Sequence, residues 1–365
     1  MPKSMRMLIL SGAAGLLVTA GAQALAAHAP RGAHRAPPYY AYVTNEISGD
    51  LSIIDGRTLR VVATVPLGRR PRGIEASPDG RYLYIALSGS PIMGPPGSHH
   101  GPRPPPDKAA DGIAVFNAAT RSVVRVIRGV SDPEKLAVSP DGKRLYVASE
   151  DAGRAVVMDI ATGRTLASVP VGAEPEGVRV SPNGRFVYFT SESANAVYVM
   201  STRTDALVTT FKVGANPRAV AFSPSGRMAY VPGEADASVT IVNAVKMAPV
   251  KTFYLKPSAI FRPLVGVARP MDSLVSRNGR WLYVSTGRAG AVVSVNLRTD
   301  RIAHVAMTGI RPWSLALTPN GRRLFAANGP SNNVSVIDAA NFKVIATIPC
   351  GTGPWGVAVA RARRR

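Results

Sequence analysis

The chain has 365 residues and a formal charge of +22, with 44 basic against 22 acidic residues and 46% hydrophobic residues. That apolar content is ample for a core and excludes a disordered polyelectrolyte. The lone cysteine, Cys350, excludes a disulfide scaffold, and 34 glycines with 31 prolines supply the many turns an all-β chain needs.

In chain order, the first element is a leader. Lys3 and Arg6 precede an apolar, small-residue-rich stretch over 8–20, and Ala22-Gln23-Ala24 and Ala24-Leu25-Ala26 offer cleavage sites. That order is what a secretory signal peptide needs. Residues 1–27 are therefore expected to be a signal peptide and 28–38 a flexible linker. An uncleaved anchor is the alternative, weakened by the polar and glycine residues between Ser11 and Gln23. No later stretch is apolar for long enough to span a membrane, so the expected location is the periplasm.

Next comes a repeated turn: Ser77-Pro78-Asp79-Gly80, Ser139-Pro140-Asp141-Gly142, Ser181-Pro182-Asn183-Gly184, Ser223-Pro224-Ser225-Gly226, Ser276-Arg277-Asn278-Gly279 and Thr318-Pro319-Asn320-Gly321. The spacings are 62, 42, 42, 53 and 42 residues, a period of 42 interrupted by insertions at about 88–111 and 256–272. Such a period points to propeller blades. Around Ser139 the unit reads as strand A at 135–138, B at 144–148, C at 155–159 and D at 165–169. β-branched and aromatic runs of about five residues between turn residues favour strands over helices. Residues 354–360 match 312–318 and make a seventh strand A. Its partners lie at the N-terminus, with B at 40–45, C at 51–55 and D at 61–65. The expectation is an all-β, seven-bladed β-propeller over 39–360, closed by N-terminal strands sharing a blade with the C-terminal one, followed by a basic tail at 361–365.

In a propeller the loops leading into strands A meet around the axis. The residue after each proline there is Arg72, Glu134, Glu176, Arg218, Met271, Trp313 and Trp355; the residue before it is Arg70, Asp132, Glu174, Asn216, Arg269, Arg311 and Gly353. Charged pairs beside aromatic faces suit a polar, planar or anionic ligand, with arginine gripping a carboxylate. Ion pairs that merely plug the channel are the alternative, and both stay open. The B–C loops on the same face add Glu46, Glu150, Asp151, Glu192, Glu234 and Asp236. They are read as solvated loop charge, with a hard cation such as Ca²⁺ as the alternative. On the opposite face Arg81, Lys143, Arg185, Arg227, Arg280 and Arg322 follow the turn glycines. That basic face suits an acidic protein, anionic lipid or nucleic acid, or simply solubility.

Tyr42-Val43-Thr44-Asn45 and Val334-Ser335-Val336-Ile337-Asp338 resemble the YVTN-type β-propeller repeats. Arg70-Pro71-Arg72-Gly73, Asp132-Pro133-Glu134, Glu174-Pro175-Glu176-Gly177, Asn216-Pro217-Arg218, Pro312-Trp313 and Gly353-Pro354-Trp355-Gly356 resemble the propeller proteins associated with PQQ-dependent catabolism. The resemblance spans about 39–360. It implies a periplasmic binding or accessory protein of quinoprotein alcohol oxidation. The implied partner is a quinoprotein dehydrogenase or cytochrome, and no cofactor is required, with PQQ or a divalent cation as the candidate ligands. The His/Pro-rich insertion with Met93, His99 and His100 departs from that family.

No Gly-x-Ser-x-Gly, His-Glu-x-x-His, Cys-x-x-Cys-His or phosphate-binding loop is present, so no catalytic residue is assigned. His304 is read as a packed strand residue and Cys350 as lacking a base. A metal-dependent, lactonase-like hydrolase or lyase and a scaffold for macromolecules remain as alternative functions.

Overall fold

A computed structural model describes residues 39–92, 105–255 and 268–362. The expected leader, the linker, residues 93–104 of the first insertion (with Met93, His99 and His100), residues 256–267 of the second and Arg363–Arg365 lie outside the described residues. Among the described residues, no helix is long and apolar enough to cross a membrane.

Seven four-stranded antiparallel sheets form a seven-bladed β-propeller, as the 42-residue period predicts. Blade 1 takes strand A from the C-terminus (Pro354–Arg361) and strands B, C and D from the N-terminus (Tyr39–Asn45, Asp50–Asp55 and Arg60–Pro66). Tyr39 pairs with Arg361 and Val43 with Val357, so the two ends of the chain close the ring. Arg361, expected in a loose tail, is thus the last residue of a strand. Blades 2 to 7 follow in order, with strands A at Pro71–Ala76, Pro133–Val138, Pro175–Val180, Ala221–Phe222, Ser273–Val275 and Pro312–Leu317.

The turn chemistry explains the repeat. In blade 2 the Ser77 hydroxyl donates to Asp79 and accepts from the Tyr82 amide, and Gly80 takes φ +69° to close the turn. Blade 3 repeats this with Ser139, Asp141, Arg144 and Gly142. A short acceptor one residue before a left-handed glycine is what the hairpin requires. Strand D sits outermost and alternates exposed and half-buried residues, as Arg60–Pro66 shows. Strands B and C are buried on both faces, where neighbouring blades pack: Phe325, Val334 and Val336 of blade 7 meet Ala41, Val43 and Ile54 of blade 1.

Strand A begins earlier than the apolar pattern indicates. Pro133 pairs with Ser149, Leu136 next pairs with Val147, and a bulge over Glu134 and Lys135 separates them. The same irregularity follows Pro71, Pro175 and Pro312. A bulge re-aims side chains, and here it turns the residue after each proline onto the axis.

Candidate functional site

In six of the seven blades the residue before the entering proline adopts left-handed φ: Arg70 (42°), Asp132 (44°), Glu174 (52°), Asn216 (51°), Arg311 (53°) and Gly353 (71°). Five of the six carry a β-carbon, so the backbone holds this pivot against its own preference. Pivot and bulge together project Arg72, Glu134, Glu176 and Trp313 around the channel mouth, and Arg218, Met271 and Trp355 occupy the equivalent positions of the other blades.

There the side chains form one continuous charge network. Arg72 pairs with Asp132, Glu134 and Glu150, the last at 3.4 Å. Arg218 pairs with Glu176 at 2.7 Å, with Glu192 at 2.5 Å and with Glu234. Arg70 pairs with Glu46 at 2.8 Å, at the edge. Trp313 and Trp355 stack at 5.9 Å between centroids, 21° apart; Arg311 lies 4.3 Å over Trp313, Arg218 lies 5.9 Å over it, and the Lys135 ammonium lies 5.9 Å over Trp355. Arg72, Glu134, Glu176 and Trp355 are all buried.

Two expectations change. Arg72 and Arg218 do not present free guanidinium forks to a ligand carboxylate, because the protein's own carboxylates occupy them. The B–C loop acids are not solvated loop charge: Glu150, Glu192 and Glu234 reach inward to these two arginines, and Glu46 reaches Arg70. The common cause is the convergence of seven blades: Arg72 reaches the loops of the following blade, Arg70 the B–C loop of the preceding one, and Arg218 the B–C loops of the preceding blade and of its own. Without Arg72, buried Asp132 and Glu134 would lose their countercharge, at a cost of about 3–5 kcal/mol.

Not every ring position joins the network. Glu174 is exposed and accepts from Ser193, and Arg269 donates to the Ala235 carbonyl at 3.1 Å. Asp151 pairs with Lys108, and the Asp236 carboxylate accepts from the Ala215 amide. Met271 is buried at the mouth. His304 lies on an outer strand with its ring 5.7 Å from Trp281, and burial pushes the Cys350 thiol up to about 12. Neither meets the requirements of a nucleophile–base pair.

Carboxylates outnumber cations in the mouth, and their protonation reflects it. Burial and the neighbouring Glu176 carboxylate push Glu150 up to about 8, against the pull of Arg72. Burial and Glu176 push Glu192 up to about 10. Burial also acts on Asp132, but Arg72 and the Ser88 hydroxyl outweigh it and hold its carboxyl below the usual range. Glu134, Glu150 and Glu176 bring one carboxylate oxygen each to within 4.8 Å of one another.

Sequence reasoning missed the layers beneath. Lys135 and Asp272 face each other across the channel at 3.6 Å, and Asp272 also accepts from the Ser314 hydroxyl and the Leu315 amide. Farther along, Arg179 and Glu75 pair at 3.7 Å. Aligning the strand A repeats two and four residues after each proline would have singled out these four charges among small and apolar residues.

The family model described as "Lactonase, 7-bladed beta-propeller" matches residues 202–341. Antigen Lp49 of Leptospira interrogans is 30% identical over 29% of this chain, and the match spans 30% of that relative's length. Among solved structures, a candidate 6-phosphogluconolactonase of Bacteroides uniformis superposes with a TM-score of 0.68 at 19% identity, covering 88% of this chain and all of that one. A functionally unknown protein of Desulfotomaculum acetoxidans gives 0.70 at 16%, covering 89% and 99%. The hydrazine synthase of Kuenenia stuttgartiensis gives 0.67 at 18%, covering 85% and 99%. At these identities the structural likeness shows the propeller fold.

Proposed function

We propose that the protein is an exported binding propeller whose channel mouth takes up a hard divalent cation, with Ca²⁺ the best match. The observation that carries this reading is the set of Glu134, Glu150 and Glu176 oxygens within 4.8 Å of one another. Ca²⁺ binds oxygen at about 2.3–2.6 Å, so two ligands of one ion lie up to about 5 Å apart, whereas Mg²⁺ at about 2.1 Å would require contraction. Carboxylate donors suit such an ion, and the excess of acid over arginine supplies the charge. Arg72 and Arg218 hold Glu134 and Glu176 in place from either side, leaving Glu150, the more exposed of the three, to meet the ion.

The setting we infer is the periplasm, beside a quinoprotein dehydrogenase. It rests on the leader-like residues 1–27 and on the order Arg72, Glu134, Glu176, Arg218, Trp313, Trp355, each in the register the resemblance calls for. A ligand such as PQQ would then approach a mouth rimmed by Arg311 and Trp313.

Calorimetric titration of the chelator-treated protein with Ca²⁺ tests the site. Saturable binding that falls at least tenfold in E150Q is expected. Absence of binding, or parent-like affinity in both E150Q and E134Q, overturns the reading.

A second reading, a lactone-hydrolysing enzyme, is supported by the family-model match over 202–341 and by the candidate 6-phosphogluconolactonase among the structural neighbours. Turnover of a sugar lactone that is abolished in E150Q would favour it over a binding role.

A further inference from the structure

The seven strands A enclose a cavity of about 250 Å³ below the mouth. Its two ends differ. At the top, Met271, Glu134, Arg72, Trp355 and Glu176 are at most 5% exposed and seal the channel. Toward the other face, Ala76, Val275, Leu317 and Val359 line the cavity and are half-buried, as are Glu75 and Arg179. The cavity is therefore a blind well that opens on the face of the A–B turns. Its volume leaves room for a short-chain ligand as well as for water.

The well contains one group with unused capacity. The Arg179 side chain is 35% exposed, and its only partner among the described residues is Glu75 at 3.7 Å, beyond hydrogen-bond distance. Arg179 lines the cavity, and among the described residues its guanidinium makes no hydrogen bond to a protein acceptor. The upper pair is different, since Asp272 accepts from Ser314, Leu315 and Ser273, and Lys135 donates to the Arg218 carbonyl. Around Arg179 the walls are aliphatic: Ile74, Leu136, Val178, Val220, Leu315 and Val357. On the face onto which the well opens, Arg81, Lys143, Arg185, Arg227, Arg280 and Arg322 follow the A–B turns and are all exposed.

We propose that this well is a binding site for a small aliphatic carboxylate, which enters from the basic face and docks its carboxylate on Arg179. Guanidinium matches carboxylate in a two-point fork, the branched walls cover a short hydrocarbon chain, and the basic residues of that face raise the local concentration of anions. Glu75 stands beyond hydrogen-bond distance of Arg179, and burial pushes its carboxyl up against the pull of Arg179, which weakens its competition with a ligand for the guanidinium. The site lies on the far side of the Trp355 and Glu134 seal from the carboxylate mouth and does not depend on the cation reading.

The test is calorimetric titration of the purified protein with butyrate and with inorganic phosphate, at low and moderate salt. Expected are saturable butyrate binding, a loss of at least tenfold in R179Q with unchanged thermal stability, and retained or tighter binding in E75Q. E150Q, at the mouth, should bind butyrate as the unaltered protein does. No butyrate binding overturns the proposal. Binding that survives R179Q but disappears when Arg185, Arg227 and Arg280 are neutralised overturns it in favour of the outer basic face. Phosphate binding as tight as butyrate overturns the aliphatic specificity.

Discussion

Glu192 shows how much at a single residue lay beyond the sequence. Its position on a B–C loop, and its face, followed from the repeat. Its pairing with Arg218 on the neighbouring blade, and its crowding against Glu176, required the ring's actual radius. Arg179 was hidden for a different reason: it sits four residues after its proline, inside a run read only as a strand. The crowding of Glu192 has a measurable consequence. Its folded carboxyl is raised to about 10 from an ordinary 4.5, so the folded state retains a proton that the unfolded state releases. The stabilisation is complete below about pH 4.5 and is lost as pH rises toward 10. Urea unfolding at pH 5, 7 and 9 should show E192Q, always neutral, losing less stability with rising pH than the parent, by at least about 2 kcal/mol across that range. Parallel profiles would show that Glu192 is ionised in the folded protein.

At the scale of the strand, the eight strands given bounds from the 42-residue spacing lie within two residues of the observed ones, because turn chemistry and alternating burial are local properties. The bulge after each proline was not legible, since it arises from the crowding of neighbouring inner strands. Gly356 marks that crowding. A β-carbon there would lie 2.4 Å from the Arg72 carbonyl oxygen and 2.8 Å from the Thr44 hydroxyl, and that hydroxyl accepts from the Gly356 amide and donates to the Arg72 carbonyl. Gly73 is hemmed in equally, 2.4 Å from the Glu134 carbonyl oxygen. Overpacking at such a contact costs about 1–3 kcal/mol. Thermal unfolding should place G356A below the parent by that amount, and an unchanged melting temperature would show that adjoining blades can part without penalty.

For the whole molecule, closure rests on one shared blade. Removing 354–365 takes the inner strand from blade 1 and exposes the edge of Tyr39–Asn45 along its length. Exposed edges recruit other chains, and the blade 7 core loses Val357 and its partners. A chain ending at 353 should lose its cooperative melt and elute as oligomers in size-exclusion chromatography, and a peptide of 354–362 should restore the monomer. A truncated chain that melts as sharply as the parent would mean six complete blades suffice. The sequence showed this closure because Tyr40 lies one period before Tyr82. It could not show that closing seven inner strands would seal one end of the channel and leave the other open.

The pairing of Tyr39 with Arg361 carries a geometric corollary. Both residues sit at the face of the A–B turns, so a segment attached directly before Tyr39 or after Ala362 departs from the face on which the well opens. A fusion partner, surface linker or purification handle placed at those two positions would therefore crowd the Arg179 well and leave the carboxylate mouth pointing outward, a layout that recommends such immobilised forms for studying the mouth and free forms for studying the well.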